Sequence, residues 1–258
     1  MFSQFKQILL VSLVATTALS CSKRPDPIKP VETGNGEMGF TFENFAGDKQ
    51  FKLNTETYTN CASEDFIATK FNYYITNVKL IRADGTVYAQ PESYHLVQAD
   101  VAGSNHFHVT DVPKGDYKGV TFMVGVDEAR NTSGAQTGAL DPANKMFWTW
   151  NTGYIMAKLE GTSPAAGGVF MQHIGGFNGE FNSLRTITLN FSAPLSINSA
   201  NEGEAEIKVD VLKWFGATTC VSLHDAANIM MPSATSKKIA DNYANMFSII
   251  TAETSKAE

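Results

Sequence analysis

The chain has 258 residues, with 20 lysine and arginine residues against 26 aspartate and glutamate residues, and a formal net charge of −6. This modest acidic balance, with no basic cluster beyond Lys23-Arg24, argues against nucleic-acid binding, because phosphate recognition requires concentrated positive charge. Once the N-terminal segment is removed, about 220 residues remain, which is enough for one domain with a single core.

The N-terminus has the features of a bacterial lipoprotein signal. Lys6 supplies a short basic region, residues 8–19 are apolar, and Ala18-Leu19-Ser20-Cys21 forms a small-residue cleavage site that ends in cysteine. The apolar run is too short to span a bilayer. An ordinary signal peptide followed by an incidental cysteine is the alternative interpretation.

Three segments follow from this interpretation. We expect residues 1–20 to be a signal peptide and Cys21 to be lipidated after cleavage. Residues 21–36, rich in proline and polar residues, would then link the lipid to a domain over 37–258. The protein would be an outer-membrane lipoprotein of the bacterial cell envelope that faces the periplasm or the exterior.

Short apolar or alternating runs dominate the rest of the chain. Many contain β-branched or aromatic residues, which favour strands, and turn signals such as Asp84-Gly85 separate them. Eight or more strands without long helices between them predict an all-β fold, an antiparallel β-sandwich. The predicted strands cover 40–42, 71–75, 78–81, 94–97, 119–124, 154–159, 186–191 and 207–212.

Cys61 and Cys220 remain as an even pair once Cys21 is committed to lipid. In an oxidising compartment the default is a disulfide, here one that closes a long loop and fastens the first strands to the end of the last one. A pair of copper thiolates is the less favoured alternative, since periplasmic thiols rarely stay reduced.

The segment His106-Phe107-His108 presents two imidazoles on one face if it is a strand, and such a pair can chelate a divalent ion. A pair alone is an incomplete site. An exposed strand end is the interpretation that the sequence favours.

A long polar loop over 127–141 leads into an aromatic segment. Asp127, Asn131 and Asp141 are oxygen donors of the type that calcium prefers, but their spacing matches no EF-hand. Local hydrogen bonds that cap turns are the alternative role.

The aromatic segment Met146-Phe147-Trp148-Thr149-Trp150 holds two of the three tryptophans. Strand geometry would place both rings on one face of a sheet. A core stripe of aromatic side chains is one interpretation, because large rings dominate core burial. A binding site is the other.

One helix is predicted near the C-terminus, over 236–250. Apolar residues recur there at helical spacing, and Ser236 can serve as the N-cap. We interpret it as a short C-terminal helix that covers one end of the sandwich.

The order and spacing of short motifs across most of the mature chain resemble the MbnP-like family, the methanobactin-associated periplasmic copper-binding proteins and their relatives. The Trp-x-Trp segment and His173-Ile174-Gly175-Gly176 are the most specific parts. The motifs that carry the resemblance cover 73–80, 84–85, 94–97, 112–117, 125–127, 140–142, 146–154, 158–161 and 173–176.

The resemblance implies copper held by histidine and by kynurenine, the oxidised product of a tryptophan. In this chain the matching positions are His173 and either Trp148 or Trp150. It also implies an oxidising partner, a di-haem protein related to bacterial cytochrome c peroxidases. Opening an indole exposes an aniline-type amine and a carbonyl, which can offer lone pairs that the N–H donor of the intact ring cannot.

One departure from the family pattern concerns the second histidine. Family members place a histidine near the tryptophan, whereas no histidine lies between His108 and His173 here. Met146 could supply a thioether for cuprous copper, although methionine more often fills core gaps. His224, near Met230 and Met231, is the other candidate ligand.

The sequence contains no Gly-x-Ser-x-Gly motif, no His-Glu-x-x-His motif and no phosphate loop, which argues against a hydrolase or a nucleotide enzyme. Two functions remain. The first is a non-enzymatic copper-binding or copper-trafficking lipoprotein whose tryptophan a di-haem partner oxidises. The second is a structural or transporter-accessory lipoprotein without a metal site.

Overall fold

The computed structural model of the protein describes residues 36–150 and 153–256. The predicted signal peptide, the lipidated Cys21 and the tether up to residue 35 lie outside these ranges. The described residues belong to one compact unit. None of their helices combines the length and the apolar character needed to cross a bilayer.

Strands account for most of the described secondary structure. The first eight are β1 (Gly36–Ala46), β2 (Lys49–Gln50), β3 (Tyr58–Thr59), β4 (Asp65–Arg82), β5 (Val87–Ala89), β6 (Tyr94–Gln98), β7 (His106–Val112) and β8 (Gly115–Val124). The others are β9 (Phe147–Trp148), β10 (Gly153–Ser163), β11 (Gly168–Gly175), β12 (Arg185–Ile197), β13 (Asn201–Asp210), β14 (Asn228–Ile229) and β15 (Phe247–Lys256). The helices are α1 (Glu128–Thr132), α2 (Leu212–Gly216) and α3 (Ala234–Tyr243), with 3₁₀ turns at Gly138–Leu140 and Pro142–Asn144.

The strands form two sheets. In the five-stranded sheet, β1 pairs with β13 on one side and with β7 and β2 on the other, and β15 pairs with β13. In the ten-stranded sheet, residues 67–73 of β4 pair with β10, and residues 75–82 pair with β8. Most pairings are antiparallel, while β1–β13 and β11–β14 are parallel. The predicted all-β sandwich is confirmed.

Aromatic side chains from both sheets meet in the core between them. Phe42 of β1 lies edge-on to Tyr73 of β4 and to Phe122 of β8, with ring centroids 6.4 and 5.6 Å apart. Phe247 of β15 packs against Phe122 at 5.2 Å. All four rings are buried, so these contacts hold the two sheets face to face.

Two predicted strands, 71–75 and 78–81, are parts of the single long strand β4. The pairing of β4 with β8 shifts register between Thr76 and Lys79, and Asn77 has a φ of 52° there. This irregularity interrupts the alternation of apolar and polar residues, which made one strand resemble two in the sequence.

The predicted helix over 236–250 is correct only in its first half. Helix α3 ends at Tyr243, and its N-cap is Ser233, which forms a capping box with Ser236. From Phe247 the chain forms β15, antiparallel to β13. The prediction of a helix to 250 was wrong because pairing with β13 overrode the local helical spacing.

Candidate functional site

A polar row crosses three neighbouring strands of the ten-stranded sheet. Lys158 of β10 pairs with Asn72 of β4 on one side and with His173 of β11 on the other. Directly paired residues project from the same face. The adjacent residues Phe71 and Ile174 belong to the main core, so the row lies on the outer face. It is nevertheless buried, with exposed fractions of 1% for Asn72, 3% for Lys158 and 9% for His173.

Glu160 links Lys158, the middle residue of this row, to His173. Its Oε1 lies 2.8 Å from Nε2 of His173 and 3.6 Å from Nζ of Lys158. The hydrogen bond with His173 and the charge of Lys158 lower the pKa of Glu160 against the opposing effect of burial. Lys158 also donates to the carbonyl of Lys145 at 3.0 Å, while burial lowers the pKa of its own amine. Glu160 is therefore a carboxylate that holds His173 through Nε2.

The indole of Trp148 covers the next position on the same face of β11. Gly175 lies two residues beyond His173, so both positions face the same side of the sheet. A side chain at Gly175 would overlap Cζ3 and Cη2 of the Trp148 ring. Glycine at this position therefore lets the Trp148 ring approach β11 closely, on the face that carries the polar row.

Several buried polar atoms of this face have no hydrogen-bond partner among the described residues. They are Nδ1 of His173, Nε1 of Trp148 and both side-chain amide atoms of Asn72. Buried polar groups are nearly always hydrogen-bonded, so this concentration marks a candidate site. With Nε2–H of His173 donating to Glu160, its Nδ1 carries the free lone pair.

The two tryptophans of the aromatic segment are neighbours, but their environments differ. Their ring centroids lie 5.6 Å apart at an interplanar angle of 42°. Trp148 is buried, whereas Trp150 has an exposed fraction of 58%. The prediction of one strand through both was wrong. The strand β9 ends at Trp148 and pairs back with Gly153 and Tyr154 of β10 in a hairpin, leaving Trp150 outside the pairing.

Met146 is fully buried in a second apolar cluster. This cluster also contains Trp148, Tyr74 and Tyr154 and lies on the outer face of the ten-stranded sheet. The carbonyl of Met146 accepts from the amide of Ile155 at 2.9 Å. The side chain therefore fills core space, and its role as a copper ligand stays a prediction.

His224 lies in an exposed segment between α2 and β14. Its side chain is 78% exposed, and its Nδ1 pairs with Asp225 at 2.8 Å. Its backbone amide donates to Glu64 at 3.1 Å. In the described ranges it has no hydrogen bond to Trp148 or His173, and a ligand role for it also stays a prediction.

The oxygen donors of the 127–141 loop are engaged in hydrogen bonds within the protein. Asp127 caps α1 through the amide of Arg130 and accepts from Tyr94 at 2.6 Å. Asn131 accepts from the amide of Tyr154 at 2.8 Å, and Asp141 from that of Ala143 at 2.8 Å. The bonds from Arg130 and Ala143 correspond to the capping role, whereas those from Tyr94 and Tyr154 join the loop to β6 and β10. Calcium binding by this loop stays a prediction.

The disulfide between Cys61 and Cys220 is confirmed, with Cα atoms 5.8 Å apart. Cys61 follows β3, but Cys220 lies in the segment after α2 rather than at the end of the last strand. The bridge thus fastens the start of β4 to the loop that carries His224, and the predicted alternative of copper thiolates does not apply to this pair.

Sequence reasoning did not identify Asn72, Lys158 and Glu160 as members of the site. The signal was present, because Lys158 interrupts an otherwise apolar strand from Tyr154 to Leu159. No group of three or more histidine, cysteine, aspartate or glutamate side chains placed to hold a metal occurs in the two described ranges. A metal bound by His173 would therefore need a further donor.

Comparisons with known proteins give two matches. The MbnP family model matches residues 35–232. The solved structure of MbnP from Methylosinus trichosporium shares 14% sequence identity, with a TM-score of 0.48, over 86% of this chain and 99% of that chain. No curated protein matches the chain.

Proposed function

The chain belongs to the MbnP family, and we propose on this premise that it is a non-enzymatic copper-binding or copper-trafficking lipoprotein. The observation that supports the proposal is the presence of two unpaired buried nitrogens, Nδ1 of His173 and Nε1 of Trp148, on one face of the sheet. A metal-binding histidine usually donates one ring N–H to a carboxylate and binds the metal through the lone pair of its other nitrogen.

Trp148 is the tryptophan that we propose is oxidised. It shares the face of His173, whereas the ring of Trp150 extends to the surface. The intact indole of Trp148 offers only a donor, but its opening would place an amine and a carbonyl in the same position. With the imidazole of His173, these groups form a donor set suited to copper.

Trp150 provides a surface for the oxidising partner. Its exposed ring packs on Trp148, so a protein docked there would lie next to the residue to be modified. Exposed tryptophans are frequent anchors of protein interfaces. We propose that the partner is a di-haem protein related to bacterial cytochrome c peroxidases, as the family implies.

Copper binding by six samples tests the proposal. Wild type, His173→Ala and, as the matched control, His224→Ala would each be prepared with and without the di-haem partner. Oxidised wild type and oxidised His224→Ala should each bind one tight equivalent of copper more than the corresponding unoxidised protein, whereas oxidation of His173→Ala should add none. Equal binding in all samples would reject the site and leave the structural or transporter-accessory function as the better account.

The proposed location is the cell envelope, through a lipid on Cys21. Cys21→Ser should move the protein from the membrane fraction to the soluble fraction, because the acyl chains provide the anchor. Equal membrane association of wild type and Cys21→Ser would contradict a lipoprotein.

A further inference from the structure

A pair of imidazoles lies on the other sheet, on the outer face of β7. Phe107 points inward and stacks on His95 with ring centroids 3.6 Å apart. His106 and His108, on either side of it, therefore point outward, and both are exposed. They belong to neither the family motifs nor the face that carries Trp148.

The two imidazoles are oriented toward each other by partners on β1. Their Nε2 atoms lie 2.9 Å apart. Nδ1 of His106 lies 2.9 Å from the hydroxyl of Thr41, and Nδ1 of His108 lies 3.5 Å from the carboxylate of Glu37. A histidine whose one nitrogen is held by a hydroxyl or carboxylate presents the other nitrogen as a ligand, which is how outer partners orient metal-binding histidines.

The separation of the two nitrogens allows them to bind one ion. Two nitrogens bound about 2.0 Å from an ion lie about 2.8 Å apart at adjacent square-planar or octahedral positions, and about 3.3 Å apart in a tetrahedron. The observed 2.9 Å is a hydrogen-bond distance in the metal-free protein. It lies between these two values, so an ion can replace the shared hydrogen with little movement of either ring.

A carboxylate lies beside the pair. Gly39 of β1 pairs with His108 on one side and with Glu204 of β13 on the other. The carboxylate of Glu204 lies over Gly39, where any side chain would overlap it. The next position repeats the charge, because Thr41 pairs with both His106 and Glu206. This surface therefore attracts cations to the imidazoles.

We propose that His106 and His108 form a surface chelate for a divalent transition-metal cation such as Ni²⁺ or Cu²⁺, with Glu204 as the neighbouring carboxylate ligand. Among the described residues no three-ligand group is already assembled, so the two imidazoles form the fixed part and Glu204 completes the site by rotation of its side chain. In the metal-free protein, one Nε2–H donates to the other Nε2. When the ion binds, the ring proton of His106 moves from Nε2 to Nδ1. The Nδ1–H group then donates a hydrogen bond to the hydroxyl of Thr41.

Titration of the full-length chain with Ni²⁺ tests the site, because nickel does not require the oxidised tryptophan. Wild type should bind one equivalent. His106→Gln and His108→Gln should each weaken nickel affinity by more than roughly tenfold, the loss typical when a residue that only orients a ligand is removed. Glu204→Gln should weaken nickel affinity by less than either histidine variant. His224→Gln controls for an exposed histidine elsewhere, and His173→Ala separates this site from the proposed copper site. Both should bind as wild type does.

Ring-proton resonances of wild type provide a second measurement that does not depend on the folding of variants. Paramagnetic Ni²⁺ should broaden the His106 and His108 signals before those of His173 and His224. The proposal would be overturned by the absence of a stoichiometric nickel site in wild type, by full binding in both strand variants, or by first broadening at His224.

Discussion

At the residue scale, the environment of His173 is determined by Glu160. The carboxylate accepts from Nε2 and lies near a lysine whose side chain is almost fully buried. A buried cation is stable only when its charge is compensated. Glu160 therefore has two roles. It determines that Nδ1 is the free nitrogen of His173, and its negative charge compensates the buried ammonium group of Lys158.

Glu160→Gln should lower the free energy of unfolding by about 3 kcal/mol, because it leaves Lys158 without a counter-charge while preserving the shape of the side chain. Lys158→Met is the matched change, and the double variant should recover much of the loss, as a double-mutant cycle would show. Denaturant unfolding measures all four proteins. A negligible effect of Glu160→Gln would contradict the role assigned to the carboxylate.

Sequence reasoning identified His173 and Trp148 but not their surroundings. Residue types and family motifs pointed to both, whereas the row from Asn72 through Lys158 to His173 depends on the register of the β10–β11 hairpin and on its pairing with β4, which is distant in the chain. Local sequence does not encode that register. The different burial of Trp148 and Trp150 was equally hidden, because it depends on where β9 ends.

At the element scale, β6 and β7 are held together by the stacking of His95 on Phe107. Burial lowers the pKa of His95 from its usual 6.5 to about 4. The unfolded chain therefore binds a proton at His95 at higher pH than the folded protein does, so acidification favours unfolding across this window.

The free energy of unfolding should fall by about 2 to 3 kcal/mol as the pH is lowered from about 6.5 to 4 on account of His95 alone. His95→Phe retains an aromatic ring and removes the titration, so the difference between the two proteins isolates this contribution. Parallel pH profiles for wild type and His95→Phe would contradict the assignment.

The strands were more predictable than the C-terminal segment. Alternation and turn residues located β1, β6, β8, β10 and β12, because each of these has one face in the core. Phe247 and Ile250 followed a helical spacing by chance, and only pairing with the edge of β13 determined that they lie in a strand. Pairing between segments distant in sequence is the information that a local pattern lacks.

At the scale of the whole molecule, a covalent cross-link joins the segment before β4 to the segment after α2. The Cys61–Cys220 bridge spans 159 residues. A loop of this length restricts the unfolded chain strongly.

Reduction of this bridge should lower the free energy of unfolding by about 3 to 5 kcal/mol. The double variant Cys61→Ala/Cys220→Ala should show the same loss without reductant and no further loss with it. Thiol titration of the unfolded, unreduced mature domain should find no free thiol from Cys61 or Cys220. Equal stability of the oxidised and reduced forms would contradict the assigned contribution.

The proposed copper site depends on oxidation of Trp148, which would supply the second ligand beside His173. Peptide mass mapping of the protein after production with its di-haem partner tests this step. We expect an opened indole at Trp148 in both wild type and Trp150→Phe, with Trp150 itself intact in wild type. Modification confined to Trp150, or Trp148 left unmodified after prolonged reaction with the partner, would contradict the proposed site.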